Sequence, residues 1–464
     1  MTRYHARWVV PVSAPPIACG TLVERDGRIV WVGPRDDAPA LEHGDDDVDL
    51  GEAILLPGLV NSHCHLELTA MRGFLDGLAF REWILRLTSA RRAVLDAPAL
   101  LDAARLGVEE GLRAGVTTFA DTGDSEGGFD AMLEYGVRGI CYREVFGPDP
   151  AQCERAVAEL REKIEAMRAR ETPLVRAGLS PHAPYTVSDP LYRATVALAR
   201  ELAVPVAVHI AESVIETELV AAGTGSFADG LRARGIAVAP RARSPIALLG
   251  ALGVLAVDPL LIHCVHVDDD DIREIANHRC AVAHCPASNA RLAHGVAPIA
   301  ELLAARVDVG IGSDSVASND RMDLLDEARL ALLFATARAR APNTLSTAEA
   351  LELATLGGAR ALRLDRSIGS LEVGKAADLA VFPLAPLGRG PTHDPVAAAV
   401  LALAGTPASF VAVAGRPLVR EGRLLDADSS LARRVQESAD RLQAWLATAD
   451  GARATAIRHP TAGR

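Results

Sequence analysis

Four short stretches of this 464-residue chain hold imidazoles and carboxylates at spacings that could grip a cation. In "NSHCH" (61–65), His63 and His65 stand one residue apart at the end of an apolar run. Strand side chains alternate, so this pair shares a face. "HIAES" gives His209 and, three residues on, Glu212. "HCVH" gives His263 and His266, and "GSDS" gives Asp314. Imidazole suits a borderline cation such as zinc, and ligands fixed on strand ends can chelate. A single His-x-His pair is a weak signal, because two polar residues closing a strand look the same. Histidines and a carboxylate recurring at the ends of separate apolar runs favour an open metal site, with one position left for water.

The elements that must position these groups are readable from periodicity. Short apolar runs at 54–65, 116–123, 139–147, 175–185, 205–212, 260–267, 280–286 and 307–315 alternate with longer stretches. Two of those stretches, 151–170 and 190–204, carry apolar residues at helical spacing. Eight such units in a row predict an α/β fold, a (β/α)₈ TIM barrel, with its site at the C-terminal mouth. A doubly wound sheet is the alternative, but it gathers its ligand at one switch point, not over many strand ends. Residues 17–34 read as a hairpin turning at "RDG", and 377–424 are again strand-like. We therefore expect a small β-sandwich domain built from both termini. Its N-terminal part is 1–56 and its C-terminal part 367–425, with the catalytic barrel at 57–366 and a last helix and tail at 426–464. The stretch 66–115 is longer than a barrel unit needs and reads as a lid-forming loop.

Composition narrows the function. Apolar residues make up 49% and charged residues 23%, enough for a sizeable core. A net charge of −12 argues against nucleic acid or an anionic membrane as partner. No run approaches the ~20 apolar residues that span a bilayer, and no signal peptide is evident. Seven scattered cysteines without C-x-x-C read as reduced thiols of a cytoplasmic protein. The chain has two lysines, Lys163 and Lys375, and neither lies in the fourth run.

Taken in order, "PGLVNSHCH", "SPHAPYT", "HIAE", "HCVH", "CPASNARL", "GSDS" and "GSLEVGKAADLAVF" resemble the motifs of the amidohydrolase superfamily, in its metal-dependent deaminase and chlorohydrolase branch. The resemblance covers about residues 20–425. "HCHLELTAMRG" followed by "FREWI" is most similar to aminofutalosine deaminases, with S-adenosylhomocysteine/methylthioadenosine deaminases as near neighbours. The latter commonly carry an acidic residue two places before the tryptophan. Here Arg81 stands there, with Glu82 next, which weakens the homocysteine-type reading.

The resemblance implies a hydrolytic deaminase of a 6-aminopurine nucleoside, aminofutalosine first, in the futalosine route to menaquinone. The alternatives are S-adenosylhomocysteine, methylthioadenosine or adenosine, a free base, or triazine-type chlorohydrolysis. It implies His63, His65, His209 and Asp314 as ligands of one divalent metal ion, Zn²⁺ first and Fe²⁺ second. A second metal would need a carbamylated lysine on the fourth strand, which this chain lacks. Asp314 would take the proton of the attacking water, Glu212 would protonate the ring nitrogen, and His263 would hold the attacking oxygen. His182, Glu67, Trp83 and Arg143 are the expected substrate contacts. Tyr185 is expected to pack. A small-molecule substrate and a homodimer are implied. A non-catalytic scaffold would have shed ligands, and here the whole set is present.

Overall fold

The computed structural model describes residues 1–384, 391–448 and 451, so most of the expected C-terminal tail lies outside the described residues. Eight parallel strands follow one another along the chain: β1 (Leu59–Cys64), β2 (Val116–Gly123), β3 (Arg138–Val145), β4 (Val175–Pro181), β5 (Ala207–Ile210), β6 (Leu260–His263), β7 (Ala281–His284) and β8 (Asp308–Ile311). Every residue of β1 and β2 is buried, as strands covered on both faces require. Val60, Ala120, Ile140, Tyr142, Ala207, Ile262 and Ala283 pack together as one inner cluster. A larger cluster fills the layer between strands and helices.

The expected barrel is present, but its ladder is not continuous. The strands form two four-stranded sheets, β1-β2-β3-β4 and β5-β6-β7-β8. Isolated bridges, Leu179 to Val206 and Cys64 to Asp314, join them. At one seam His209 N donates to His182 O at 2.9 Å; at the other Asp314 N donates to His63 O at 3.0 Å. The second seam is close enough to need glycine. A Cβ on Gly312 would sit 2.8–2.9 Å from the backbone and Cβ of His63.

The stretch 66–115 is not the loop the sequence led us to expect. It folds as a 3₁₀ turn (Leu66–Met71) and two helices, Phe80–Val94 and Ala97–Arg113. Phe80, Trp83, Leu87 and Ala90 recur at three- and four-residue spacing and bury one stripe of the first helix. Asp96 caps the second helix by accepting from Ala99 N. Only the first helix covers the barrel mouth.

Both termini build one nine-stranded sheet. The expected hairpin is there as Ile17–Arg25 and Arg28–Pro34. Strand Thr2–Val9, which the sequence reading did not mark, lies inside the sheet beside Ile17–Arg25. Ala53–Pro57 pairs antiparallel with Leu379–Pro383, tying the first half of the sheet to the last. A bridge from Arg28 to Ala376 folds the sheet over on itself, around Tyr4, Leu22, Leu55, Leu379 and Phe410. The last helix, Leu431–Leu446, packs outside Ala97–Arg113, where Arg434 binds Asp102 at 2.7 and 2.9 Å. No helix among the described residues is long and apolar enough to cross a membrane.

One buried ion pair fastens the sheet to the barrel. Arg138, at the start of β3, donates to Asp378 at 2.8 and 3.1 Å, and Ala414 N donates to the same carboxylate at 2.7 Å. Asp378→Ala strands a buried guanidinium. We expect a loss of about 3–5 kcal/mol of unfolding free energy, measured by urea titration.

Candidate active site

The strand ends do not run straight into their loops. Ala211, His263, Cys264 and Asp314 have φ of 52°, 79°, 47° and 57°, and none is glycine. Such left-handed residues cost about 1–3 kcal/mol each and persist where the surroundings fix them. Here the reversals turn Glu212, His263 and Asp314 toward the mouth. The carboxylate of Glu216 holds one of these turns, accepting from Ala211 N at 2.8 Å and Glu212 N at 3.1 Å. Burial pushes Glu216 up to about 8.

Three imidazoles and a carboxylate converge. His63 Nε2 is 3.3 Å and His65 Nε2 3.6 Å from Asp314 Oδ1. His209 Nε2 is 3.4 Å from His65 Nε2. Tetrahedral zinc with bonds of about 2.0–2.1 Å separates its donors by about 3.4 Å, so the spacing fits a single such ion. His63 Nε2 is buried without a hydrogen bond, as a ligand awaiting a cation would be. Burial pushes His63, His65 and His209 below the ordinary histidine value, toward the neutral form that coordinates metal. Burial works the other way on Asp314, but His63, His263 and His65 outweigh it and hold the carboxyl well below its usual range.

Glu212 Oε1 lies 3.6 Å from His263 Nε2 and 3.3 Å from His294 Nε2. Burial raises this carboxyl, yet His263 and His294 more than offset it, and the net direction is down. His263 Nδ1 is 3.1 Å from the Asn289 side-chain oxygen. That acceptor fixes the ring proton on Nδ1 and leaves Nε2 facing Glu212. The Ser288 hydroxyl donates to Asp314 Oδ2. "CPASNARL" thus supplies both Ser288 and Asn289, roles the sequence reading did not assign to it.

Of the expected substrate contacts, His182, Glu67 and Trp83 line the pocket above this cluster. His182 Nδ1 meets Thr186 Oγ1 at 2.8 Å, and burial with neighbouring histidines pushes the ring down to about 3. Trp83 stacks on Phe80 at 6.2 Å. Tyr185 packs on Phe227 at 4.1 Å and also lines the wall. Arg143 does not line it, against expectation; its Nε and Nη1 are buried without hydrogen bonds. The reason is strand alternation. Arg143 shares the parity of Cys141, whose thiol meets Asp121 in the outer layer, whereas Ile140 and Tyr142 face inward. Glu144 has the inward parity and lines the pocket instead.

Two arginines of the covering helix do line the pocket, Arg91 in the wall and Arg92 at the exposed rim, and the sequence reading missed both. Arg91 is the one held by carboxylates. It donates to Glu67 Oε1 at 2.6 and 3.1 Å and also binds Asp124. His266 is outside the wall, its backbone N bound to Ala211 O at 2.8 Å.

Residues 54–415 match the model of the amidohydrolase family. A 5-methylthioadenosine/S-adenosylhomocysteine deaminase of Moorella thermoacetica is 34% identical, over 91% of this chain and 94% of its own. A 5'-deoxyadenosine deaminase of Methanopyrus kandleri is 31% identical, over 88% of this chain and 91% of its own. Among solved structures, a zinc-bound adenosine deaminase from Xanthomonas campestris superposes with TM-score 0.83 at 29% identity, covering 96% of this chain and 98% of that one. Helicobacter pylori aminofutalosine deaminase, in complex with methylthio-coformycin, matches with TM-score 0.78 at 20% identity over 90% and 100% of the two chains, a likeness of fold. The chain belongs to the amidohydrolase family. Within it, it is an enzyme of the hydrolytic deaminase kind.

His284, on β7, generates a prediction of its own. It is 1% exposed, its Nδ1 has no partner, and burial pushes it down to about 3. In the unfolded chain it takes a proton near 6.5. The unfolded state therefore binds more protons below that pH, and stability falls as pH drops from about 6.5 toward 3. His284→Gln in the metal-free protein should lose unfolding free energy less steeply than wild type between pH 6.5 and 5, read by urea titration.

Proposed function

We propose that this chain deaminates the 6-amino group of a purine nucleoside, using one divalent metal held by His63, His65, His209 and Asp314. The observation that carries this reading is the donor spacing of 3.3–3.6 Å, set beside Glu212 and His263 in one pocket. Zinc is the first choice, and iron(II) suits the same donors. The metal, when bound, supplies a water activated near neutral pH. Asp314 receives a proton from that water. Glu212 passes a proton to the ring nitrogen next to the attacked carbon. Because His263 and His294 hold Glu212 toward its ionised form, it collects that proton before donating it. His263 keeps the attacking oxygen in place and steadies the tetrahedral centre. Ammonia leaves and a ring carbonyl forms.

The opposite wall speaks to the rest of the substrate. Leu68, Phe80, Trp83, Ile84, Leu87 and Leu292 give it an apolar surface for a base or an apolar 5′ group. The charge of Arg91 is taken by Glu67 and Asp124. Arg92, at the exposed rim, remains as the cation that a charged tail would meet. We therefore rank methylthioadenosine and 5′-deoxyadenosine ahead of S-adenosylhomocysteine. Aminofutalosine follows on the "FREWI" resemblance.

Steady-state ammonia release should be fastest per micromolar enzyme on methylthioadenosine or 5′-deoxyadenosine, compared with S-adenosylhomocysteine, adenosine and aminofutalosine. Absence of activity on all five sinks the nucleoside assignment. Glu212→Gln should lower kcat by about 10²–10⁴-fold while metal content by elemental analysis stays that of wild type. Full activity in that variant removes Glu212 from the chemistry.

A further inference from the structure

Glu144 has no role in the reading above, yet it is the most isolated carboxylate in the pocket. It sits near the C-terminal end of β3, with the inward parity of Ile140 and Tyr142. Its Oε1 is buried and has no hydrogen-bond partner. The same oxygen is 3.9 Å from His209 Nδ1 and 3.9 Å from His182 Nε2. His209 Nδ1 is itself buried and unpartnered. Two orphan polar atoms therefore face each other across a gap about 1 Å longer than a hydrogen bond.

Imidazole chemistry says what belongs in that gap. The Nε2 of His209 points at His65 Nε2, 3.4 Å away, on the side where the donors converge. A neutral ring that coordinates through Nε2 must carry its hydrogen on Nδ1. That hydrogen, buried, needs an acceptor, because a buried donor left without one is costly. The chain offers Glu144 Oε1. His182 does not compete for it: Thr186 gives its own hydrogen to Ala183 O at 3.1 Å and so accepts at 2.8 Å from His182 Nδ1, which keeps the single ring hydrogen of His182 away from Glu144. Ligand histidines commonly hand their second nitrogen to a carboxylate, which fixes the ring and raises its basicity.

We propose that Glu144 is a positioning residue that accepts the Nδ1 hydrogen of His209 and so sets that ring for the metal. This rests on the reading of His209 as a ligand. The competing possibility is that Glu144, His182 and His209, whose ligating atoms lie within 4.8 Å of one another, hold a second cation of their own.

The experiment uses the full chain, stripped and reloaded with cobalt(II). Three quantities are read: metal per chain, affinity by chelator competition, and the visible absorption bands of the bound cobalt. Wild type is expected to bind one cobalt. Glu144→Ala should weaken binding about 10–100-fold and shift the bands, since ring orientation and basicity both change. Glu144→Gln keeps an acceptor oxygen and should recover most of the affinity. Metal-free Glu144→Gln should melt no lower than metal-free wild type, because the orphan carboxylate contributes nothing there. Wild-type affinity and bands in Glu144→Ala overturn the proposal, as does a Glu144→Gln as weak as Glu144→Ala. Two cobalt ions in wild type falling to one in Glu144→Ala overturn it in favour of the second cation site. A wild type that binds no metal fails at the earlier step and takes this role down with it.

Discussion

Crowding of electron-rich atoms is the constraint on which this architecture turns. Each of three imidazoles and a carboxylate oxygen stands 3.3–3.6 Å from at least one other of the set at the barrel mouth. Imidazole lone pairs and a carboxylate oxygen brought this close gain little from one another, which is why the arrangement suits a cation. The backbone is committed to it in advance. The β1–β8 seam is tight enough that Gly312 lies against His63, and left-handed residues turn the ends of β5, β6 and β8. Those local costs are borne by the apolar layers below, where inner and outer clusters are almost entirely buried.

Above the donors, the pocket depends on an ionic latch and an apolar stripe acting together. Helix Phe80–Val94 is anchored at its C-terminal end by Arg91, which reaches Glu67 after β1 and Asp124 after β2. Near its start, Phe80 packs edge-on against Tyr185, Phe227 and His294, which come from widely separated parts of the chain. A cover fastened at both ends excludes water from the chemistry while remaining a separate element over the mouth. Ser125 also binds Glu67, so the carboxylate two residues beyond His65 is fully engaged in holding this roof.

The barrel and the convergence of these side chains at its mouth are legible because both follow simple periods. Alternation put His63 and His65 together, and regular βα spacing put His209, His263 and Asp314 at other strand ends. The helices Cys153–Arg168 and Asp189–Leu202 fall where apolar spacing placed them. The misses have physical causes too. Arg143 was chosen for its charge, although the parity of Ile140 and Tyr142 already pointed to Glu144. Arg91, Asn289, His294 and Glu216 act across elements, and no local pattern announces a contact between distant segments. The reversals at Ala211, His263 and Asp314 carry no glycine to signal them, so the aim of Glu212 could not be derived from its spacing to His209. The covering helix was taken for a loop because its length exceeded what a barrel unit needs, although its apolar stripe is helical.

The same helix accounts for Arg81, the residue that weakens the homocysteine-type reading. Arg81 occupies a place where an acidic side chain is common in similar enzymes. At about 100° per residue, Arg81 lies about 200° round from Trp83, on the far side of the helix. It spends its Nε on Ser226 O at 3.1 Å and does not line the pocket. Arg91 is eight residues beyond Trp83, about 80° round, close to the inner stripe. The pocket therefore feels Arg91 and, at its rim, Arg92, but not Arg81, and Arg91 is already paired with two carboxylates. The shape of the cavity above the donors is therefore set mainly by this helix, with Leu68 and Leu292 completing the apolar wall, and not by the cluster beneath it.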